Sequence, residues 1–111
     1  MEQKAMQSYV DGLNSNDPKQ IGALFAADGY FSDGATRLIN LPDGNGTGHD
    51  EVAKIFEGIM SQFKVTVEIL KMNKQSMEYD VHLGDEITLP CVGTVTVDAD
   101  GKIKEYLARP R

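Results

Sequence analysis

The chain predicts an α+β domain: three N-terminal helices packed on a strongly curved, mainly antiparallel sheet. Two observations carry this. As far as Phe63, apolar side chains recur every three or four positions; from Val65 onward they recur every second position. Short turn-forming clusters, such as Asp98-Ala99-Asp100-Gly101, divide the second part into strands.

Residues 2–14 read as an amphipathic helix, with Met6, Tyr9, Val10 and Leu13 on one stripe. Gly12 and Asn14-Ser15-Asn16 end it. Asp17-Pro18 starts a second, short helix, with Asp17 as cap and Pro18 in the first turn. Ile21, Leu24 and Phe25 form its buried face. Asp28-Gly29 is a turn signal, and Tyr30-Phe31-Ser32-Asp33 reads as a strand. Residues 34–48 are rich in glycine and polar groups and read as a long, mobile loop with room for a short strand. Its apolar insert, Leu38, Ile39 and Leu41, is placed to close over a pocket mouth. Residues 50–62 give the strongest helical stripe, Val52, Ile55, Phe56, Ile59, Met60 and Phe63, with His49 as a candidate cap.

The strands follow. Val65, Val67 and Ile69 alternate with polar neighbours, as do Tyr79, Val81 and Leu83. Ile87, Leu89, Cys91, Gly93, Val95 and Val97 form one face of a longer strand. On the last strand, Ile103, Glu105 and Leu107 fall opposite Lys104, Tyr106 and Ala108. The outer sheet face then carries Thr88, Val92, Thr94, Thr96 and Tyr106. It is too apolar for bare solvent, which points to a homodimer packed through the sheet face. Asp80 and His82 stay open between the two faces, because a one-residue slip exchanges them.

The length of 111 residues suits one domain spanning 1–111, and 41 % apolar residues suffice for one core. A net charge of −6 repels phosphate backbones and anionic lipid, so neither nucleic acid nor membrane is an expected partner. Cys91 is the sole cysteine, so no internal disulfide forms. Met1-Glu2-Gln3-Lys4 does not begin a signal peptide, and the expectation is a soluble, cytoplasmic protein. His49 and His82 lack metal-ligand spacing, and no metal or cofactor is expected.

The residues with chemical promise are Tyr9 and Asp33. Alternation places Asp33 on the same side as Phe31, facing inward. A carboxylate among apolar side chains is partly desolvated, its pKa rises, and it becomes a proton acceptor near neutral pH. The plain alternative is a turn residue that opens the following loop.

The run Tyr9-Val10-Asp11-Gly12-Leu13-Asn14-Ser15-Asn16-Asp17, then Ile21 to Gly29, then Phe31-Ser32-Asp33, resembles the opening of the SnoaL-like and ketosteroid isomerase-like branch of the nuclear transport factor 2-like superfamily. Gly48-His49-Asp50-Glu51-Val52 and Val97-Asp98-Ala99-Asp100-Gly101-Lys102-Ile103 are similar too. The resemblance implies a cone-shaped α+β barrel around an apolar pocket, and a homodimer. It implies Asp33 as general base and Tyr9 as hydrogen-bond donor to the substrate oxygen. The second, acidic donor of ketosteroid isomerases falls at Gly93. The Asp-Arg-Asp set of the epoxide hydrolases is not legible, although Arg37 lies in the loop; nor is the acid of the polyketide cyclases.

Two functions follow as expectations. The first is an enzyme that shifts a proton next to a carbonyl in an apolar small molecule, with Asp33 and Tyr9 catalytic and Phe25, Phe31, Phe56, Met60, Cys91 and Val95 lining the cavity. The second is a non-catalytic ligand-binding or dimeric interaction module on the same fold.

Overall fold

The computed structural model describes residues 1–111. The elements, in order, are α1 (Glu2–Asn14), α2 (Pro18–Gly22), β1 (Phe25–Asp33), a 3-10 helix (Ala35–Ile39), β2 (Gly44–Thr47), α3 (Gly48–Met60), β3 (Val65–Met72), β4 (Ser76–Leu83), β5 (Ile87–Val97) and β6 (Ile103–Pro110). The six strands form one sheet in the order β2-β1-β6-β5-β4-β3. Every neighbouring pair is antiparallel except β1 with β6. The predicted α+β class and the three helices on a curved, mainly antiparallel sheet are what the structure shows.

Local chemistry explains most boundaries. Asp17 caps α2, accepting from the Gln20 amide at 3.2 Å, and Pro18 occupies the first turn. α3 begins at Gly48, whose φ of +84° suits glycine. Its cap residue is Thr47, and the Glu51 carboxylate reaches back to accept from the Thr47 amide at 2.9 Å. His49 is therefore not the cap; it is an exposed first-turn residue. β3 is an edge strand, and two asparagines from the end of α1 cover it. Asn16 exchanges two hydrogen bonds with Val65, both 2.8 Å, and Asn14 exchanges two with Val67, at 2.7 and 3.3 Å. Side-chain amides thus stand in for a neighbouring strand and blunt the open edge.

Several expectations are corrected. Phe25 is not on the second helix; it begins β1, which is longer than the predicted strand because Asp28-Gly29 sits inside it at an irregularity of the β1–β6 pairing. Residues 34–48 are not one loop: the 3-10 helix and β2 order most of them, and β2 pairs with β1 through Tyr30–Thr47 and Asp33–Gly44. Tyr106 is not on the outer face. It is 0 % exposed, in the core with Ile103 and Ala108, whereas Glu105 is exposed and Leu107 half-buried. The cause is a bulge. Thr96 pairs with Glu105 but Val97 pairs with Ile103, so Lys104 is an extra residue that reverses the alternation of β6.

The inner face of the sheet and the buried sides of α1, α2 and α3 share one core of 21 buried residues. One end of it is solidly aromatic. Phe31 packs edge-on to Phe25 at 5.9 Å and lies 5.1 Å from Phe56, and Tyr9 stacks on Tyr106 at 4.2 Å. No helix is long and apolar enough to cross a membrane.

Candidate functional site

The other end of the core is hollow. A cavity of about 300 Å³ lies between α3, the 3-10 helix and the inner face of β3, β4 and β5. Of its 20 lining residues 16 are hydrophobic, among them Ile55 and Ile59 of α3, Phe63 in the turn after it and Leu89 of β5. The few polar groups are Asp33, Tyr9, Tyr79, Thr36 and Gln62. An apolar cavity with a small set of converging polar groups is the usual form of a small-molecule site.

Asp33 is the last residue of β1. Strand alternation turns it to the same side as Phe31, and pairing with Gly44 and Ala108 fixes it between β2 and β6. Its Oδ1 accepts from the Ala35 amide at 3.0 Å, which holds the carboxylate at the cavity wall. Burial pushes its pKa from 3.8 up to about 6; the Ala35 hydrogen bond and the nearby Arg109 guanidinium partly oppose the rise. Arg109 is anchored elsewhere: its Nη1 donates to the Ser32 carbonyl and hydroxyl and to the Ala108 carbonyl. Arg37, the loop arginine, forms a bidentate pair with Asp43 at 2.6 and 2.8 Å and stays at the surface. Asp33 therefore has no direct ion-pair partner and is a carboxylate of intermediate basicity in a largely apolar enclosure.

Tyr9 reaches the cavity from α1. Its ring is 3 % exposed and wedged between Phe56, Phe31 and Tyr106. Its hydroxyl makes no hydrogen bond within the chain, yet no fully buried polar atom lacks a partner, so that hydroxyl opens on the cavity. Burial, with lesser contributions from Tyr106 and Asp33, holds its pKa well above 10.0, so it is a neutral donor.

The structure brings Asp33, Tyr9, Phe56 and Cys91 to one cavity, and four predicted lining residues elsewhere. Phe25, Phe31 and Val95 are sealed in the packed end, and Met60 is half-buried against the core but off the wall. Sequence reasoning made them lining because an inward-facing apolar residue looks the same whether it meets a side chain or a void. Cys91 is inert there: its Sγ donates to the Leu89 carbonyl at 3.3 Å, and burial raises its pKa to about 12. Asp80 and His82 face away from the cavity, Asp80 toward Arg111 at 3.1 Å and His82 toward Thr88 at 2.9 Å. No three His, Cys, Asp or Glu side chains converge as a metal site.

Tyr79 was missed as a site residue. It stands on the cavity wall, and its hydroxyl shares a 3.1 Å hydrogen bond with that of Tyr106. The inward alternation of Tyr79, Val81 and Leu83 was a signal for it; the bulge at Lys104 hid Tyr106. From the 34–48 segment, Thr36, Ile39 and Leu41 lie on the cavity rim, whereas Leu38 points outward at 45 % exposure.

The SnoaL-like domain family model matches residues 6–106. Among solved structures, RV0760c from Mycobacterium tuberculosis is similar with a TM-score of 0.81 at 21 % identity, over 96 % of this chain and 91 % of that one. SalBIII, an epoxide hydrolase/cyclase-like enzyme in pyran ring formation in the polyether salinomycin, gives a TM-score of 0.76 at 14 % identity, over 99 % and 90 %. A protein from Catenulispora acidiphila DSM 44928 with a ketosteroid isomerase-like fold, in complex with trimethylamine, gives 0.68 at 18 % identity, over 95 % and 83 %. Similarity at these identities is similarity of fold. No curated protein matches the sequence.

Proposed function

Given that the chain belongs to the SnoaL-like domain family, we propose that it binds an apolar small molecule bearing a carbonyl group and shifts a proton next to that carbonyl. Asp33 is the general base, and Tyr9 donates to the carbonyl oxygen as it gains charge. One observation carries the reading: a carboxylate with a pKa near 6 on the wall of an otherwise apolar cavity. Such a group is ionised at neutral pH yet basic enough to take a carbon-bound proton, and desolvation strengthens it as an acceptor. Reactions of this kind need a base and an oxygen donor in reach of one ligand, and the cavity presents both.

Solvent-deuterium exchange into a panel of cyclic ketones and enones, followed by proton NMR, tests this. Exchange is expected to rise with pH through about 6, as Asp33 ionises, and then to level off. Asp33→Asn is expected to abolish it with the fold intact. No exchange with any member of the panel, together with an Asp33 that titrates like a solvent-exposed carboxylate, overturns the enzyme reading.

The second reading is a non-catalytic ligand-binding module. Gly93 favours it, because the position of the second acidic donor has no side chain and the Tyr106 hydroxyl lies directly against it. The complex of the Catenulispora protein with trimethylamine is in keeping with plain ligand capture on this fold.

The same proposal includes a homodimer. The outer sheet face offers Val92 and Leu107, both half-buried, beside Thr88, Thr94 and Thr96. Both β3 backbone positions nearest α1 are already covered by Asn14 and Asn16, so pairing through the face is favoured over that end of the edge. Sedimentation velocity at micromolar concentration is expected to show a dimer that Val92→Lys dissociates; a wild-type monomer overturns it.

A further inference from the structure

Two phenols, Tyr79 on β4 and Tyr106 on β6, share one hydrogen bond of 3.1 Å. They carry two hydroxyl protons between them, and the bond uses one. The destination of the other follows from where each ring sits. Tyr106 is 0 % exposed, stacked on Tyr9, and absent from the cavity wall; its hydroxyl abuts Gly93, where even a methyl group would collide with it. Tyr79 stands on that wall. If Tyr79 donated to Tyr106, the Tyr106 proton would be buried with no acceptor, an arrangement that folded proteins avoid. Tyr106 is therefore the donor in the pair, and the Tyr79 proton is left to point into the cavity.

We propose that Tyr79 is a second hydrogen-bond donor to the ligand's oxygen atom, and that Tyr106 is the positioning residue that aims it. This rests on the reading of the cavity as a site for an oxygen-bearing apolar ligand. Donor strength follows from the chain of bonds: a hydroxyl that accepts one hydrogen bond donates a stronger one. Gly93 gains a purpose as well. Its missing side chain leaves the space that the Tyr106 oxygen fills, so the donor absent at Gly93 is replaced from the neighbouring strand, where Tyr79 pairs with Cys91. The ligand class is a carbonyl, enol or phenol oxygen on an apolar frame, with Tyr9 and Tyr79 as donors to it and Asp33 beside it.

4-Nitrophenol is the probe, because its anion is yellow and its neutral form is not. The host is the Asp33→Asn chain, in which no carboxylate opposes a bound anion. This host is expected to bind the probe and to raise the anionic fraction above that of free probe at the same pH. Adding Tyr79→Phe is expected to weaken binding of the anion by about tenfold or more, the size of one hydrogen bond to a charged oxygen, and to reduce the yellow fraction. Adding Tyr106→Phe is expected to cost less affinity while still lowering the yellow fraction, because Tyr79 remains but is no longer aimed. Unchanged affinity and spectrum in the Tyr79→Phe chain, or no binding by the host, overturns the proposal. Deuterium exchange by the wild-type chain separates the two readings. Exchange lost in Asp33→Asn and kept in Tyr79→Phe leaves the base in place and removes this donor. The expected spectra without exchange keep the donor and remove the base.

Discussion

The two ends of the core are both built from apolar side chains and do opposite things. At one end Phe25, Phe31 and Tyr106 fill the space between the sheet and α1, with Tyr9 at the boundary to the cavity and rings 4.2 to 6.2 Å apart. At the other, aliphatic residues of α3, β4 and β5 stand around a cavity of about 300 Å³. The difference lies in what faces the sheet. Small residues, Ala35 and Ala108, sit on the cavity wall next to Asp33. The filled end stores stability in packing; the hollow end forgoes it and leaves room for a ligand.

That contrast predicts a wide gap between truncations at the two ends. Phe31→Ala removes a ring that is 0 % exposed and is expected to cost about 3–5 kcal/mol. Ile59→Ala, on the half-buried cavity wall, is expected to cost only about 1 kcal/mol, because little further cavity is created. Urea denaturation of both variants measures the gap, and equal losses contradict it.

Charge distinguishes the hollow end as well. Asp33 has a folded pKa raised from 3.8 to about 6, so the folded state holds its proton more tightly than the unfolded one. Its contribution is most favourable at pH below 3.8 and is lost as pH rises through about 6. At neutral pH the ionised group costs up to about 3 kcal/mol, so Asp33→Asn is expected to raise the melting point and to flatten its dependence on pH between 4 and 7. A melting point lower than wild type at pH 7 contradicts the desolvated carboxylate.

The smallest effect belongs to the rim. Leu41 is 53 % exposed at the cavity mouth, and Leu41→Ser is expected to change stability by less than about 0.5 kcal/mol. Residues 34–43 are expected to exchange amide hydrogens faster than the core strands, and ligand binding is expected to slow them. Uniformly slow exchange there without ligand removes the idea of a closing rim.

Much of this was legible in the residues. The change of apolar period marks the three helices and the run of strands after Phe63, and the alternation of Phe31 with Asp33 turns the carboxylate inward, because both are properties of a few consecutive positions. The misplaced residues share another cause. Phe25, Phe31 and Val95 were correctly inward, but whether an inward side chain meets a ring or a void depends on segments far away in sequence. The 34–48 stretch lacks apolar alternation, and its ordering comes from β1, with which β2 pairs, and from the Arg37–Asp43 clasp.

The residues alone settle the three helices, the four strands after α3, the cap at Asp17, the inner face of β5 and the inward aim of Asp33, since local sterics and periodicity act within a turn or a strand; the 3-10 helix and β2 are not among them. Where the hollow lies and which tyrosines meet there depend on packing between segments distant in the chain. Lys104 bulges because β6 must hold register with β5 on one side and β1 on the other, and that single extra residue moves Tyr106 from the surface to the core, where its hydroxyl finds Tyr79.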